Sequence, residues 1–155
     1  MIFRNEYFFL SNFHPASFSY GGIAWTTSEH AYQAYKTTDT AMRHFISRLE
    51  RPEEAKFHGK SLEIRDGWLY MRVPVMLSIL QAKFFQNKDL AEKLLATGDI
   101  PLVESNTWHD NFWGRCSCGR CATATGVNAL GLALMEVRRQ IAAADQFEPL
   151  MSRLT

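Results

Sequence analysis

Paired helix-start and helix-stop signals recur from residue 26 to residue 98, and they constrain the fold more than any other feature of the chain. In TTSEHAYQAYK, residues 26–36, Glu29 follows Thr26 by three positions, which is the spacing of a helix capping box. DTAMRHFISRL has apolar residues at helical spacing, RPEEAKFHG begins near a proline and ends with a glycine, and KDLAEKLLATG also ends with a glycine. This pattern predicts a mostly helical chain.

Two further helices and two strand regions complete the predicted secondary structure. VPVMLSILQAKFFQN is predicted to be a helix that begins at Pro74, and the last helix is expected at residues 127–144. ASFSYGGIAW has two alternating segments around Gly21-Gly22, which indicate a hairpin with a two-residue turn. IPLVES, residues 100–105, is predicted to be a strand.

These elements predict an α+β fold: a single, predominantly helical domain over residues 1–155 with a small N-terminal hairpin and short strands. Hydrophobic residues make up 46% and charged residues 21%, as in an average globular chain. The formal net charge of +1 predicts no general attraction to nucleic acid or membrane, and no apolar run reaches the ~18 residues of a membrane span. Three cysteines within six residues are no disulfide framework, so we expect a cytoplasmic location.

One face of the helix in residues 26–36 is a candidate wall for a polar pocket. At 100° per residue, Glu29, Gln33 and Lys36 share this face, with Tyr32 beside them. The alternative is a solvent-facing stripe in which Glu29 only caps the helix. A nearby carboxylate would raise the pKa of Lys36 and burial would lower it, and the sequence does not show which effect is larger.

Residues 106–126 are predicted to form a long loop, and such loops in a compact domain are usually functional or disordered. Its aromatic residues argue against disorder. Asp110, between Trp108 and Trp113, is suited to stabilise a cationic transition state beside a flat leaving group. The alternative is that the tryptophans anchor the core and Asp110 is a turn residue. The N–H groups at residues 126–128, where the last helix starts, are a candidate anion site.

The cysteines of this loop allow two interpretations. One is a zinc site with four ligands, which would be His109, Cys116, Cys118 and Cys121. The other is a set of reduced thiols without a metal. The spacing C-x-C-x-x-C departs from the usual paired C-x-x-C arrangement and favours the second interpretation, so no metal is expected.

Several sequence blocks follow one another along nearly the whole chain. They are FLSNF at 9–13, TSEHAYQAYK at 27–36, IRDGW at 64–68, VM and AKF within 75–84, LLATGDIPLVE at 94–104, DNFWG at 110–114 and GVNALGLALMEVR at 126–138. In residue types, order and spacing these blocks resemble the NADAR family (named for NAD and ADP-ribose), which includes the YbiA-like proteins. The C-S-C-G-R-C segment departs from the glycine-rich turn of other members, and this leaves substrate choice open.

The resemblance implies a YbiA-like fold and an N-glycosidase activity, which hydrolyses the bond between ribose C1 and a base nitrogen. Two substrate classes are associated with the family: ribosylamino-pyrimidine phosphates of riboflavin synthesis, and ADP-ribose attached to guanine. The implied partner is thus a small N-riboside or an ADP-ribosyl substrate, which includes ADP-ribosylated nucleic acid. No cofactor is expected. The competing interpretation is a module that binds ADP-ribose or NAD without turnover.

The resemblance also implies roles for individual residues. Glu29 takes the electrostatic and acid/base role, Lys36 attacks C1 and forms a Schiff base, and Asp110 orients a ribose hydroxyl or assists proton transfer. The residues expected to bind substrate are Asn12, Phe13, Tyr32, Gln33, Trp68, Trp113, Gly114 and Asn128.

Overall fold

The computed structural model describes residues 3–121 and 123–151, of which 146–151 are described by their backbone alone. Backbone contacts divide the chain into two compact units. The first unit is Arg4–Asn87, and the second begins at Lys88 and includes Phe3. The single domain expected over residues 1–155 stays a prediction, because compact units of this kind occur both within one domain and in separate domains.

The first unit contains a 3-10 helix, a two-stranded hairpin and four α-helices. Its elements are the 3-10 helix at Asn5–Leu10, β1 at Phe18–Tyr20, β2 at Ile23–Trp25, α1 at Ser28–Ala34, α2 at Thr40–Ser47, α3 at Pro52–His58 and α4 at Trp68–Phe85. The predicted hairpin is confirmed: β1 pairs antiparallel with β2, and φ is +61° at Gly21 and +78° at Gly22. Two positive φ angles suit a type I′ turn, whose twist matches the flanking strands.

Helix α1 lies at the centre of the first unit. All seven of its residues are buried, and it packs against α2, α3, α4 and β2. Ala31 and Ala34 are fully buried, and their small side chains allow these close approaches. A helix that is buried all round presents no solvent-facing stripe, so the polar side chains of α1 are held inside the unit.

Helix α4 begins at Trp68, so the predicted helix start at Pro74 is wrong. Gly67 precedes the helix with φ at +72°, and Pro74 lies inside it. Proline has no N–H to donate to the carbonyl of Tyr70 four residues earlier. Tyr70 and Pro74 are both exposed, so water can satisfy that carbonyl and the helix continues through the proline.

The second unit combines two α-helices with a short parallel ladder. Its elements are α5 at Lys88–Ala96, β3 at Ser105–Asn106, β4 at Arg115–Cys116, a 3-10 helix at Gly119–Cys121 and α6 at Ala129–Met151. Helix α5 packs against α6, and β3 pairs parallel with β4. The predicted strand at residues 100–105 is present only at Ser105. The segment before it, residues 100–104, forms no strand: the Leu102 carbonyl and the Glu104 N–H bond to the side chain of Asn128, and the Glu104 carbonyl accepts a hydrogen bond from the N–H of Arg115 in β4.

The predicted α+β class is confirmed, because helices dominate both units and the strands of the described residues are those of the hairpin and the short ladder. Among the residues that the structure describes, no helix has the length and apolar character needed to cross a membrane.

Candidate active site

Glu29 lies in the first turn of α1, but the predicted capping box is wrong. The N-cap is Thr27, whose side-chain oxygen accepts a hydrogen bond from the backbone N–H of His30. The same oxygen lies 2.8 Å from Nδ1 of His30. His30 therefore occupies the position that the box would assign to Glu29, and Thr26 is not the cap.

The Glu29 side chain is buried and hydrogen-bonded. It is 6% exposed, and its backbone N–H donates to the carbonyl of Asn12 at 3.0 Å. Its Oε1 accepts a hydrogen bond of 2.7 Å from Nε2 of Gln33, one helical turn later. A buried carboxylate is costly unless it is paired, and hydrogen bonds to a charged acceptor are among the stronger ones. Glu29 is thus a buried, oriented acid.

Gln33 completes this pair with its amide nitrogen, and its amide oxygen faces α3. Oε1 of Gln33 is buried without a hydrogen-bond donor among the described residues. A β-carbon at Gly59, just after α3, would collide with this oxygen, so the close approach requires glycine. The orientation of the amide follows from Glu29, because a carboxylate oxygen accepts only from the NH₂ end.

Lys36 lies past the end of α1. The sequence pattern had predicted that it lies on a face of this helix, and this prediction is wrong. The C-cap is Tyr35, and the Lys36 N–H donates to the carbonyl of Gln33 at 3.3 Å. The Lys36 carbonyl accepts a 2.7 Å hydrogen bond from the N–H of Arg65. A tight last turn followed by this backbone bond fixes where the Lys36 side chain begins.

The surroundings of the Lys36 amine show which of the two opposing effects on its pKa is larger. Its Nζ lies 5.7 Å from the ring centroid of Tyr32. Burial lowers the pKa of Lys36, the Glu29 carboxylate raises it by a smaller amount, and the positive charges of Lys56 and Lys60 lower it further. Burial therefore lowers the pKa of Lys36 by more than the Glu29 carboxylate raises it. The neutral, nucleophilic amine forms at a lower pH than in an ordinary lysine.

Four other predicted site residues lie in the first unit: Asn12, Phe13, Tyr32 and Trp68. The rings of Tyr32 and Trp68 are both buried, with centroids 5.4 Å apart. Nδ2 of Asn12 lies 3.6 Å from the sulfur of Met76, and its Oδ1 is buried without a donor from any described residue. Phe13 is half-buried. The predicted site residues of the first unit are thus brought together around α1.

Two basic groups near this site were not identified by sequence reasoning. Lys56 and Lys60 both act on the pKa of Lys36, and Nζ of Lys56 lies 5.7 Å from the ring centroid of Phe13. Lys56 lies in α3 and Lys60 follows its end. Residues four apart lie on one side of a helix, and this spacing was the signal in the sequence.

Lys83 is a further residue that the sequence patterns did not single out. It is fully buried on α4, and its Nζ donates to the carbonyls of Phe9 at 2.8 Å and Ser11 at 3.1 Å. Burial lowers the pKa of Lys83 to about 7. Because these carbonyls directly precede Asn12, Lys83 holds the segment that carries the S-N-F motif. A lysine between Ala82 and Phe84 within the predicted helix was the signal.

In the second unit, Asp110 is held by the turn that it forms. Its Oδ1 accepts hydrogen bonds from the N–H groups of Phe112 at 3.0 Å and Trp113 at 2.8 Å. Its backbone N–H and carbonyl bond to the side chain of Asn106. Asp110 is half-exposed, and its other carboxylate oxygen accepts no hydrogen bond from the residues that the structure describes. The interpretation of Asp110 as a turn residue is therefore confirmed, and its role as an acid stays a prediction.

The start of α6 is closed by the D-x-x-W-G motif, so the predicted anion site there is wrong. Four successive N–H groups, at residues 127–130, donate to the carbonyls of residues 111–114 at distances from 2.8 to 3.3 Å. These N–H groups are the ones that a bound anion would use. The helix start instead anchors the turn that carries Asp110 and Trp113.

Asn128 uses both ends of its side-chain amide within the second unit. Nδ2 donates to the Leu102 carbonyl at 2.8 Å, and Oδ1 accepts from the Glu104 N–H at 3.0 Å. A β-carbon at Gly131 would collide with the Leu102 carbonyl, and one at Gly114 would collide with the Glu104 carbonyl. The two glycines and Asn128 therefore position the extended segment. The expected contact of Gly114 and Asn128 with substrate stays a prediction.

Four potential metal ligands of the second unit converge, and we call them the Cys₃His cluster. They are Nδ1 of His109 and the sulfur atoms of Cys116, Cys118 and Cys121, all within 4.8 Å of one another. All three cysteines are free thiols.

Comparison with known proteins identifies the family. The family model of the NADAR domain matches residues 2–142. The chain belongs to the NADAR domain family. Its resemblance to this family, first visible in the motifs, is therefore confirmed.

Relatives within the NADAR family include both proteins of similar length and a longer one. The chain is 38% identical over 140 residues to the N-glycosidase YbiA of Escherichia coli, which covers 89% of this chain and 84% of that protein. The NMR structure of E. coli YbiA superposes with a TM-score of 0.81 at 35% identity, over 94% of this chain and 86% of that one. The riboflavin biosynthesis protein VVA0006 of Vibrio vulnificus is 39% identical over 135 residues, 86% of this chain, but the chain spans only 35% of its length.

Proposed function

We propose that the chain is an N-glycosidase that hydrolyses the bond between ribose C1 and a base nitrogen. The observation that carries this proposal is the buried Glu29 carboxylate, oriented by Gln33, on the same helix that leads into Lys36 with its lowered pKa. A buried carboxylate together with a lysine whose pKa is lowered by burial is typical of a catalytic site. The name N-glycosidase that YbiA and other relatives carry supports the same activity.

The reaction requires stabilisation of positive charge at C1. As the bond to the base nitrogen breaks, the ribose becomes oxocarbenium-like, and a carboxylate near C1 stabilises this cation. In our proposal Glu29 supplies that carboxylate. The attacking group, which is water or the Lys36 amine, bonds to C1 and releases a proton to Glu29, and Glu29 passes this proton to the leaving nitrogen. Gln33 keeps Glu29 in one orientation during this step.

A covalent route through Lys36 is part of the proposal. The neutral amine attacks C1, the bond from C1 to the base nitrogen breaks, and opening of the ribose ring gives a Schiff base. Water then hydrolyses the Schiff base, which releases the sugar and restores the amine. The lowered pKa of Lys36 supports this route, because only the unprotonated amine is a nucleophile.

Asp110 and Trp113 receive their proposed roles from the D-x-x-W-G motif. The carboxylate oxygen of Asp110 that the turn does not use would orient a ribose hydroxyl or assist proton transfer. Trp113, half-exposed and edge-on to Phe112 with centroids 5.0 Å apart, would form a wall for a base or ribose.

A ribosylamino-pyrimidine phosphate is the substrate class that we favour, in a cytoplasmic setting that suits the free thiols. The name of the V. vulnificus relative, a riboflavin biosynthesis protein, supports this class. Lys56 and Lys60, exposed beside the Lys36 site, would bind the substrate phosphate. ADP-ribose attached to guanine, as a small molecule or in nucleic acid, also carries phosphates and is the second substrate to test.

Base release measured by mass spectrometry tests the proposal. The purified chain is offered a ribosylamino-pyrimidine phosphate and, separately, an ADP-ribosylated guanine oligonucleotide. We expect turnover of the first substrate, and a rate at least a hundredfold lower for Glu29→Gln. The matched control is Glu63→Gln, an exposed acid of the same unit, which is expected to retain full activity.

Two other outcomes have clear meanings. Turnover of the oligonucleotide alone would keep the N-glycosidase assignment and change the substrate class. Tight binding of ADP-ribose without turnover of either substrate would refute the enzyme and leave a binding module. Borohydride reduction during turnover tests the covalent route: a sugar adduct on wild type that is absent from Lys36→Arg is expected.

A further inference from the structure

We propose that the Cys₃His cluster of the second unit binds one structural Zn²⁺ ion. Three thiolates and one imidazole form a complete tetrahedral ligand set for zinc, with no position left for water. This inference does not rest on the proposed activity, because the metal can be measured in the absence of any substrate. It differs from the expectation, based on the cysteine spacing, that these thiols bind no metal.

The distances between the ligand atoms fit a tetrahedral ion. Nδ1 of His109 lies 3.2 Å from the sulfur of Cys118 and 3.4 Å from that of Cys121. With Zn–S near 2.3 Å and Zn–N near 2.1 Å, the N-to-S edge of a tetrahedron is about 3.6 Å. All four ligand atoms lie within 4.8 Å of one another, so they need to approach by only about 1 Å to reach the N-to-S and S-to-S edges of the tetrahedron.

The backbone brings these ligands together from three segments. His109 has φ at +69°, a left-handed conformation that few residues other than glycine adopt. Cys116 lies in β4, where its N–H donates to Oδ1 of Asn111 at 2.9 Å. Cys118 and Cys121 bracket a 3-10 turn that is closed by a 2.9 Å backbone bond between them. Strand β4 and the 3-10 turn thus fix the backbone positions of the three cysteines, as a preformed site requires.

Binding of zinc would change one contact of the cluster, which is the contact of the Arg120 guanidinium with Nε2 of His109. When Nδ1 binds a metal, Nε2 carries the proton and cannot accept a hydrogen bond. Arg120 would then turn away from the imidazole. Its side chain is exposed, so this movement into solvent is open to it.

A zinc ion at this position would fix the turn that carries Asp110. His109 directly precedes Asp110, and Cys116 follows Gly114 by two residues. The ion would act on the D-x-x-W-G turn by restraining it at both ends, without touching substrate. Its role would therefore be structural.

Metal content of the purified full chain is the direct test. The protein is produced without a polyhistidine tag in zinc-supplemented medium, and zinc is measured by mass spectrometry after gel filtration. We expect about one zinc per chain. Cys118→Ser and Cys121→Ser are expected to lose it, whereas the control His44→Ala, an exposed histidine on α2, is expected to retain it.

Cobalt substitution keeps the test valid if a variant fails to fold. Apo wild type titrated with Co²⁺ should show the d–d absorption bands of tetrahedral thiolate coordination, saturating at one equivalent. Wild type that is isolated without zinc and shows no such bands would overturn the proposal. So would a disulfide within the cluster in protein purified under reducing conditions.

Discussion

Nε2 of Gln33 lies 2.7 Å from Oε1 of Glu29, and the same pairing of a glutamate with a glutamine four residues later recurs at Glu136 and Gln140, also at 2.7 Å. The first pair is buried on α1, whereas the second lies on the partly exposed side of α6. Because hydrogen bonds in a buried site are less weakened by water, only the first pair should matter for activity.

Replacement of Gln33 by leucine should reduce kcat, and it should also lower stability more than its matched control does, because the bond that it removes is buried. Loss of a hydrogen bond to a buried carboxylate corresponds to about 1.5–3 kcal/mol, or roughly a tenfold to hundredfold lower kcat. Gln140→Leu removes the equivalent bond on α6 and should leave kcat unchanged. Steady-state kinetics of both variants decides the matter, and equal kcat values for the two would contradict a role for Gln33.

The pH dependence of the reaction should report on Lys36. Because its amine must be neutral to attack C1, kcat should rise with pH through a pKa below the ordinary range of lysine. Lys56→Met removes a positive charge that lowers this pKa, so the rising limb should shift to higher pH. Lys93→Met, an exposed lysine of α5, is the control. A rising limb that stays in place in Lys56→Met would rule out Lys36 as its source.

Lys83 should make the stability of the protein depend on pH above neutrality. Its pKa is about 7 in the folded chain and 10.5 in the unfolded one, so between these values the unfolded state binds more protons. The free energy of unfolding therefore increases from pH 7 to about 10.5, by up to about 1.4 kcal/mol per pH unit, and this gain is absent below pH 7.

Urea unfolding at several pH values measures this effect. Methionine cannot be protonated, so Lys83→Met should remove the contribution and give a flatter pH dependence than wild type. The comparison uses the slope rather than the absolute stability, because the variant also loses two hydrogen bonds to backbone carbonyls. Parallel slopes in the two proteins would mean that Lys83 stays charged when folded.

Gly131→Ala should destabilise the second unit. A β-carbon there collides with the Leu102 carbonyl and with the Asn128 amide, which together hold the extended segment. Overpacking of this kind costs about 1–3 kcal/mol. Gly119→Ala is the matched control, since a β-carbon at Gly119 meets no atom within 4 Å. Thermal unfolding should show a lower Tm for the first variant only.

Local patterns were sufficient for much of the fold. The Gly21-Gly22 hairpin and the helices that begin after Asp39 and at Pro52 depend on caps and turns within a few residues, which the sequence displays directly. The start of α4 could not be predicted in this way. Whether a proline begins a helix or lies within it depends on exposure of the carbonyl it leaves unbonded, which is a tertiary property.

In the candidate site, too, local patterns predicted some features, and others depend on tertiary structure. That Glu29 and Gln33 share a helix face follows from helical spacing and was predicted, whereas their hydrogen bond was not, and the position of Lys36 depends on where α1 ends. Asn128 and Lys83 bond to backbone groups 24 to 74 residues away, and no local pattern indicates such partners. The convergence of His109 with the cysteines likewise depends on a backbone conformation that its sequence neighbours do not signal.

The bonds between residues 111–114 and the start of α6 also bear on how quickly the second unit can form. They join groups that are only about fifteen residues apart along the chain. The entropy cost of loop closure grows slowly with length, and loops of about ten residues close within 10–100 ns. This part of the unit therefore has low contact order, and we expect it to be among the first structures to appear when the chain refolds.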